Sequence, residues 1–361
     1  MPDKEKIKRF KKETFESEPV TMFEEHVDFI TTGCTTLNLA ASSKARNGGW
    51  ARGRILNLVG DGSSGKTLVA LEFAAVCYHK LKSIKSKLFP PVKKLKIIYD
   101  NVEGVMDFPV ESMYGKEFYD AVEWEPRSEY IEDFGQRYLK ELKNLKSGEA
   151  LIYIIDSWDA LDSKEEGEAF DKHIDKGTKL EGSFDLGKQK YASKRFFKKL
   201  CKEMKGKDCT LMIVSQTRVK IGVTFGKKKH RTGGAALDFY THQVCWLYEA
   251  GKLKKISHGH EWAYGIRIKA KFERNKVAKP YRETVFDILF DYGIDDERSM
   301  VTWFFGPEKK EMEWDGKKHK REEFINLLED NPDEREAMID AVEAKWNKIE
   351  AAMPKKKKKY G

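Results

Sequence analysis

The sequence predicts an α/β fold with a mostly parallel central sheet, on three observations. Short, continuously apolar runs recur along the first two thirds of the chain, helix-length segments separate them, and a glycine-rich turn joins the first run to the segment that follows it.

The runs come in order. ILNLVG at 55–60 is followed by a helical stretch at 68–81, KIIYDN at 96–101 by one near 131–145, and LIYIIDS at 151–157 by one near 188–204 that leads into TLMIVSQ at 210–216. Strands that are apolar throughout, rather than alternately, belong to a sheet covered on both faces, and helix-length spacers supply the crossovers that parallel strands require. After Gln216 the spacers shorten. QVCWLYE, GIRIKAKFE and ETVFDILFD follow one another closely, which predicts antiparallel strands extending the sheet edge. From Asp295 a smaller α+β unit is predicted, with a turn at Asp315-Gly316 and helices at 322–328 and 333–349. The expected organisation is a short charged arm at 1–30, a core at 31–294, a small C-terminal domain at 295–353 and a lysine tail at 354–361.

Composition narrows the function classes. The longest apolar runs fall well short of the ~20 residues that a membrane-spanning helix needs, and the charged first residues, MPDKEKIKRF, lack the apolar stretch of a secretory signal, so a cytoplasmic protein with no membrane partner is expected. Five cysteines (Cys34, Cys77, Cys201, Cys209, Cys245) form no C-x-x-C pair and are expected to be reduced; His258 and His260 have no nearby residues at metal-ligand spacing. Net charge is +9, but Lys355 to Lys359 carry five of those charges and the remainder only +4. That balance suits a polyanionic partner and equally suits a solvated tail. If the tail attracts phosphates, deleting it weakens DNA binding and flattens its salt dependence.

The strongest motif is Gly60-Asp61-Gly62-Ser63-Ser64-Gly65-Lys66-Thr67, which reads G-x-x-x-x-G-K-T between an apolar strand and a helix. Glycines let backbone N–H groups approach a phosphate, the helix N-terminus adds a favourable dipole, Lys66 offsets β- and γ-phosphate charge, and the Thr67 hydroxyl is a ligand for Mg²⁺. Nucleotide and Mg²⁺ are the implied cofactors. In a parallel sheet the ligand binds at the carboxyl ends of the strands. Asp156 closes LIYIID at that edge and is read as the acid holding Mg²⁺ through water, with a helix N-cap as the alternative. Glu103 follows KIIYDN and suits activation of the attacking water, and Gln216 ends TLMIVSQ and suits a γ-phosphate sensor. From spacing alone, both fit equally well as polar strand-end residues.

The stretches GDGSSGKT, EGVMD, IIDSWDAL and SQTRVKIGVTFGKKKHRTGGAALDFY resemble the RecA recombinases, over residues 31–346. The resemblance implies a RecA-like P-loop ATPase core and a DNA-dependent ATPase that forms ATP-bound filaments on single-stranded DNA and exchanges strands with homologous duplex, served by single-strand-binding or mediator proteins. It makes Glu103 and Lys66 catalytic, Asp156 the Walker-B acid, and Gln216 the coupler between γ-phosphate and the following loop. In that loop, at 217–234, Arg218, Lys220, Lys227, Lys228, Lys229 and Arg231 surround Ile221 and Phe225. Cations for phosphates and apolar wedges for bases suit a stretched strand, and a solvated basic hairpin is the alternative. A second DNA loop is implied at 176–187 with Lys188 and Lys190, where Tyr191 replaces a family arginine.

Period-two alternation in GIRIKAKFERNK puts Arg267, Lys269 and Lys271 on one strand face. The resemblance implies that Lys269 and Lys271 form a secondary DNA site and that Arg274 and Lys276 reach a neighbour's ATP; ordinary edge-strand charge is the alternative. Asp107 matches the family, the adenine-stacking position falls on Val110 with Phe108 and Tyr114 flanking it, and the terminal PKKKKKYG departs from the family's acidic tail. A ring motor and a non-catalytic DNA-binding mediator are the rival readings.

Overall fold

The computed structural model describes residues 27–104, 106, 108–125, 127–168, 196–219, 229–231, 234–354 and 356. The arm before residue 27, Asp107, the second DNA loop at 176–191, most of the basic loop and most of the lysine tail lie outside those residues.

Among the described residues a ten-stranded sheet forms the centre. Its strands are β3 (Ile55–Gly60), β4 (Lys94–Asn101), β5 (Val122–Glu123), β6 (Glu149–Asp156), β7 (Cys209–Val219), β8 (Lys229–Arg231), β9 (Gln243–Ser257), β10 (His260–Asn275), β11 (Glu283–Leu289) and β12 (Gly293–Asp295), in the order β12-β11-β10-β9-β3-β7-β6-β4-β5, with β8 paired to β7. From β9 to β5 every pairing on that path is parallel, and from β9 to β12 every pairing is antiparallel. This is the predicted α/β sheet with its antiparallel extension. One detail is corrected: QVCWLYE is parallel to β3 on one side and antiparallel to β10 on the other, so the change of direction occurs within the sheet at β9.

The β9–β10 ribbon is also longer than its apolar runs indicated, at 15 and 16 residues, because its outer half continues as GKLKKIS and HEWAY around a turn at His258 and Gly259. A small two-stranded sheet, β1 (Phe29–Ile30) with β2 (Trp50–Ala51), precedes β3 and encloses α1 (Thr35–Ser42) in sequence.

Helices cover both faces. On one lie α2 (Lys66–Lys80), α3 (Val110–Tyr114) and α4 (Lys116–Ala121); on the other lie α5 (Ile131–Asn144), α6 (Phe197–Met204) and α7 (Gly234–Tyr240), and the buried apolar residues divide into two clusters accordingly. Helix α2 is buried nearly all round, as a helix packed against a sheet and further elements must be.

The C-terminal part contains α8 (Asp296–Phe305), the hairpin of β13 (Glu311–Trp314) and β14 (Lys317–Lys320), α9 (Arg321–Asp330) and α10 (Pro332–Ala351). The hairpin turns at Asp315 and Gly316, both at positive φ, as that dipeptide dictates. Met300, Phe324, Met338 and Trp346 belong to the same apolar cluster as α1, α2 and the sheet. Asp296 ties the parts together, accepting from Thr35 N at 2.6 Å and from Arg335 Nη2 at 2.8 Å.

All five cysteines are free, four of them buried. No helix among the described residues is long and apolar enough to cross a membrane.

Candidate nucleotide site

Four strand ends converge at one edge of the sheet. Gly60 pairs with Gln216 between β3 and β7, and Asn101 with Asp156 between β4 and β6, so the loops after these strands open side by side within about 15 Å at ordinary strand spacing.

The loop after β3 is shaped by its glycines. Gly65, at φ +79°, caps α2 in a conformation that side-chain-bearing residues rarely adopt, and a Cβ on it would meet Ile288 Cδ1 at 2.9 Å; a Cβ on Gly60 would lie 2.7 Å from Leu247 O. Ser63 also has positive φ, and Ser64 Oγ donates to Asp61 O at 2.9 Å. Lys66 Nζ donates to Asp61 O at 2.5 Å. Burial pulls the Lys66 pKa down, opposed by the carboxylates of Asp156, Glu103, Asp159 and Asp61. The ammonium is thus held over its own loop, where a phosphate would replace a carbonyl as its partner.

Thr67 Oγ1 donates to Asp156 Oδ2 at 2.9 Å, and Tyr99 Oη donates to the same oxygen at 2.7 Å. Burial raises the Asp156 pKa while these two hydrogen bonds lower it. The carboxylate therefore faces the loop and does not cap a helix, and it leaves a hydroxyl and a carboxylate side by side, the hard-oxygen set that suits Mg²⁺. Tyr99 escaped the sequence reading, because a tyrosine inside KIIYDN is indistinguishable from an ordinary core aromatic.

Glu103 and Gln216 meet. Glu103 Oε1 accepts from Gln216 Nε2 at 2.8 Å and from Ser157 Oγ at 2.7 Å. Gln216 N donates to Asp159 Oδ2 at 2.5 Å, and Thr217 Oγ1 hydrogen-bonds Asp61 Oδ1. The strand that carries Gln216 is thereby fastened both to the loop after β6 and to the phosphate loop. It continues to Val219 and pairs with β8 through Thr217–Arg231, Arg218–His230 and Val219–Lys229. The basic segment thus leaves and re-enters beside Gln216, and its residues 220–228 lie outside the described ones.

A cleft of about 540 Å³ opens from Ser63, Ser64, Gly65, Lys66, Thr67 and Leu68. Phe108, Phe290, Ile266, Glu249 and Lys252 also line it. Phe108 is 39% and Phe290 41% exposed, whereas Val110 is 3% exposed and the Tyr114 hydroxyl is buried. Among the aromatic candidates, Phe108 is thus the one that reaches the cleft, and Val110 is core. Phe290 had no signal of its own, since it follows a strand far along the chain.

The cationic strand departs from its sequence reading. Its alternation holds, with Ile266, Ile268, Ala270 and Phe272 buried, but Arg267 is bidentate to the fully buried Asp287 at 2.7 and 3.0 Å, and Lys269 pairs with Glu283 at 2.9 Å. Arg267 is a structural cation. Lys276 follows Asn275, the partner of Gln243, which itself pairs with Leu56. That puts Lys276 at the start of β3, roughly 15 Å or more from the phosphate loop at its other end.

The family model for the RecA N-terminal domain matches residues 131–295, from α5 through β12. A curated "Protein RecA" from Prochlorococcus marinus is 28% identical over 335 residues, covering 88% of this chain and 77% of that protein. One from Wolinella succinogenes is 29% identical over 283 residues, covering 77% and 70%. The chain is thus similar to RecA proteins over most of its length. The sheet, with the phosphate loop on a central strand and an antiparallel extension on one side, is the RecA-like core that the motifs implied. The same motifs had pointed to Lys66, Thr67, Glu103, Asp156 and Gln216, and those side chains lie around one loop.

Proposed function

We propose that this protein is a DNA-stimulated ATPase that assembles on single-stranded DNA, aligns it with homologous duplex and exchanges strands. The observation that carries the reading is the Gln216–Glu103 hydrogen bond, because one residue links the candidate catalytic carboxylate to the base of the basic segment.

In this reading the backbone of residues 60–67 cradles the phosphates and Lys66 balances their charge. Thr67 and Asp156 hold Mg²⁺, which when bound supplies charge stabilisation for the transferring phosphoryl group. Glu103 orients the attacking water and accepts its proton, and Gln216 changes partner from Glu103 to the γ-phosphate. Residues 217–234 contact the strand, and DNA binding and phosphate sensing then bias the same two-state element. Lys271, with Lys269 once its pair with Glu283 opens, serves a second DNA site.

The distance of Lys276 from its own phosphate loop supports its acting, with Arg274, on a nucleotide held by a neighbouring copy. An active site would then be complete only between protomers. The same reading treats 295–353 as an accessory unit packed on the core.

The test is electron microscopy of Glu103→Gln protein with ATP and single-stranded DNA, beside a strand-exchange assay of the parent chain. Extended helical filaments and exchanged product support the proposal. Rings with duplex unwinding would replace it with a motor, and binding without exchange with a mediator.

A further inference from the structure

The β9–β10 ribbon lays two charged residues beside the phosphate loop. Leu247 pairs with Gly60 at the end of β3, so Glu249, two residues farther along β9, stands about 7 Å beyond that strand end. Regular alternation would put Lys252, three residues on, on the opposite face of the ribbon. It does not, because the register slips here: Ile268 pairs with Glu249 and Arg267 with Gly251, which leaves Ala250 without a partner on β10. The bulge re-aims the strand, so that Lys252, paired with Ile266, shares the face of Glu249.

That face is the one on which the phosphate loop rests. Leu247, Ile266 and Ile268 belong to the apolar cluster of α2, and a Cβ on Gly65 would lie 3.6 Å from Ile268 Cδ1. Phe290 follows Leu289, the partner of Gly265, and its N donates to Tyr264 O at 3.1 Å. Along the cleft the order is therefore Gly65, then Glu249 with Ile268, then Lys252 with Ile266, then Phe290. Both charged side chains are exposed, and among the described residues neither has an ion-pair partner.

A nucleotide with its phosphates over residues 60–67 and its base against Phe108 and Phe290 has its sugar between them, at Glu249. A carboxylate there is repelled by the phosphates, and only hydrogen-bond donors on the ligand offset that cost. The sugar hydroxyls are such donors, and an ionised carboxylate accepts two at once.

We propose that Glu249 is a specificity-determining residue that accepts hydrogen bonds from the 2′- and 3′-hydroxyls of a bound ribonucleoside triphosphate, so that the site selects ribose over deoxyribose. Lys252, brought to the same face by the bulge, offsets the repulsion between this carboxylate and the phosphates. The inference rests on the nucleotide reading of residues 60–67 and is independent of the DNA reactions.

The experiment is equilibrium binding of ATP and dATP, each with Mg²⁺, to the full chain without DNA. The parent is expected to bind dATP about three- to tenfold more weakly than ATP, the effect of one lost charge-assisted hydrogen bond in an open cleft. Glu249→Ala should bring the two nucleotides within about twofold of each other, whereas Lys252→Ala should weaken both alike and keep their ratio. Inosine triphosphate, which keeps the ribose and lacks the base amine, tests the other donor within reach of a carboxylate. Equal binding of ATP and dATP by the parent, or a ratio unchanged in Glu249→Ala, overturns the proposal. So does a Glu249→Ala protein that loses its discrimination against inosine triphosphate in place of that against dATP. If the parent binds neither ATP nor dATP, the nucleotide reading itself fails and takes the proposal with it.

Discussion

Gln216 Nε2 donates to Glu103 Oε1 at 2.8 Å across the edge of the sheet, and Ser157 Oγ donates to the same oxygen at 2.7 Å. One carboxylate oxygen thus holds two donors before any water is activated. In the proposed reading, a phosphate arriving over Lys66 would offer the glutamine amide a stronger acceptor and free Glu103.

The first prediction follows from that exchange. Gln216→Ala should leave ATP hydrolysis without DNA within a few-fold of the parent and abolish most of the increase that single-stranded DNA produces, as read from steady-state rates in both conditions. Equal stimulation of variant and parent would mean that the DNA signal bypasses this hydrogen bond.

Asp156 joins Thr67 and Tyr99 through a single oxygen. Replacing it by Asn removes the charge while keeping the shape, and should raise the Mg²⁺ concentration for half-maximal hydrolysis by about ten- to a hundredfold. A Mg²⁺ titration at saturating ATP reads this, and an unshifted midpoint would remove Asp156 from the metal assignment.

Glu72, on α2 behind the phosphate loop, gives a pH prediction. Burial raises its pKa from 4.5 to about 7, against hydrogen bonds from Tyr114 and Ile294 N and the charge of Lys80, with Asp296 adding to the rise. The folded state therefore favours the neutral acid. Its contribution is complete below about pH 4.5 and is lost as pH rises through about 7. Glu72→Gln mimics the neutral form, so variant and parent should have similar Tm near pH 5, and the variant should be the more stable by roughly 1–3 kcal/mol at pH 8. A parent more stable than the variant at pH 8 would show that Glu72 is ionised and paired.

Phe108 lines the nucleotide cleft and Val110 does not. Phe108→Ala should raise KM for ATP roughly two- to tenfold, the range of one aromatic contact, with kcat nearly unchanged. The corresponding change at Val110 should instead lower Tm, because that side chain is packed in the core.

Much of this architecture is legible in the chain itself. Continuous apolar runs mark β3, β4, β6 and β7, and the position of G-x-x-x-x-G-K-T after the first of them fixes the edge where the site lies. What escapes is set by distance along the chain. Tyr99, Phe290 and the Arg267–Asp287 pair owe their roles to partners 57, about 225 and 20 residues away, so no local pattern marks them. Charge counting treated Arg267 as available because the sequence does not show which cations face a buried acid. The outer half of the β9–β10 ribbon was missed for the opposite reason. It is exposed on both faces, with Ile256 and Trp262 in solvent among lysines, so no buried apolar stripe marks it and only its hydrogen-bonded partner strand makes it a strand.

The central claim is tested most directly by steady-state ATP hydrolysis of the full chain with and without single-stranded DNA, at saturating Mg²⁺. The account predicts turnover that rises at least about tenfold with DNA and disappears in Glu103→Gln protein. Turnover indifferent to DNA, or undiminished in that variant, would contradict it.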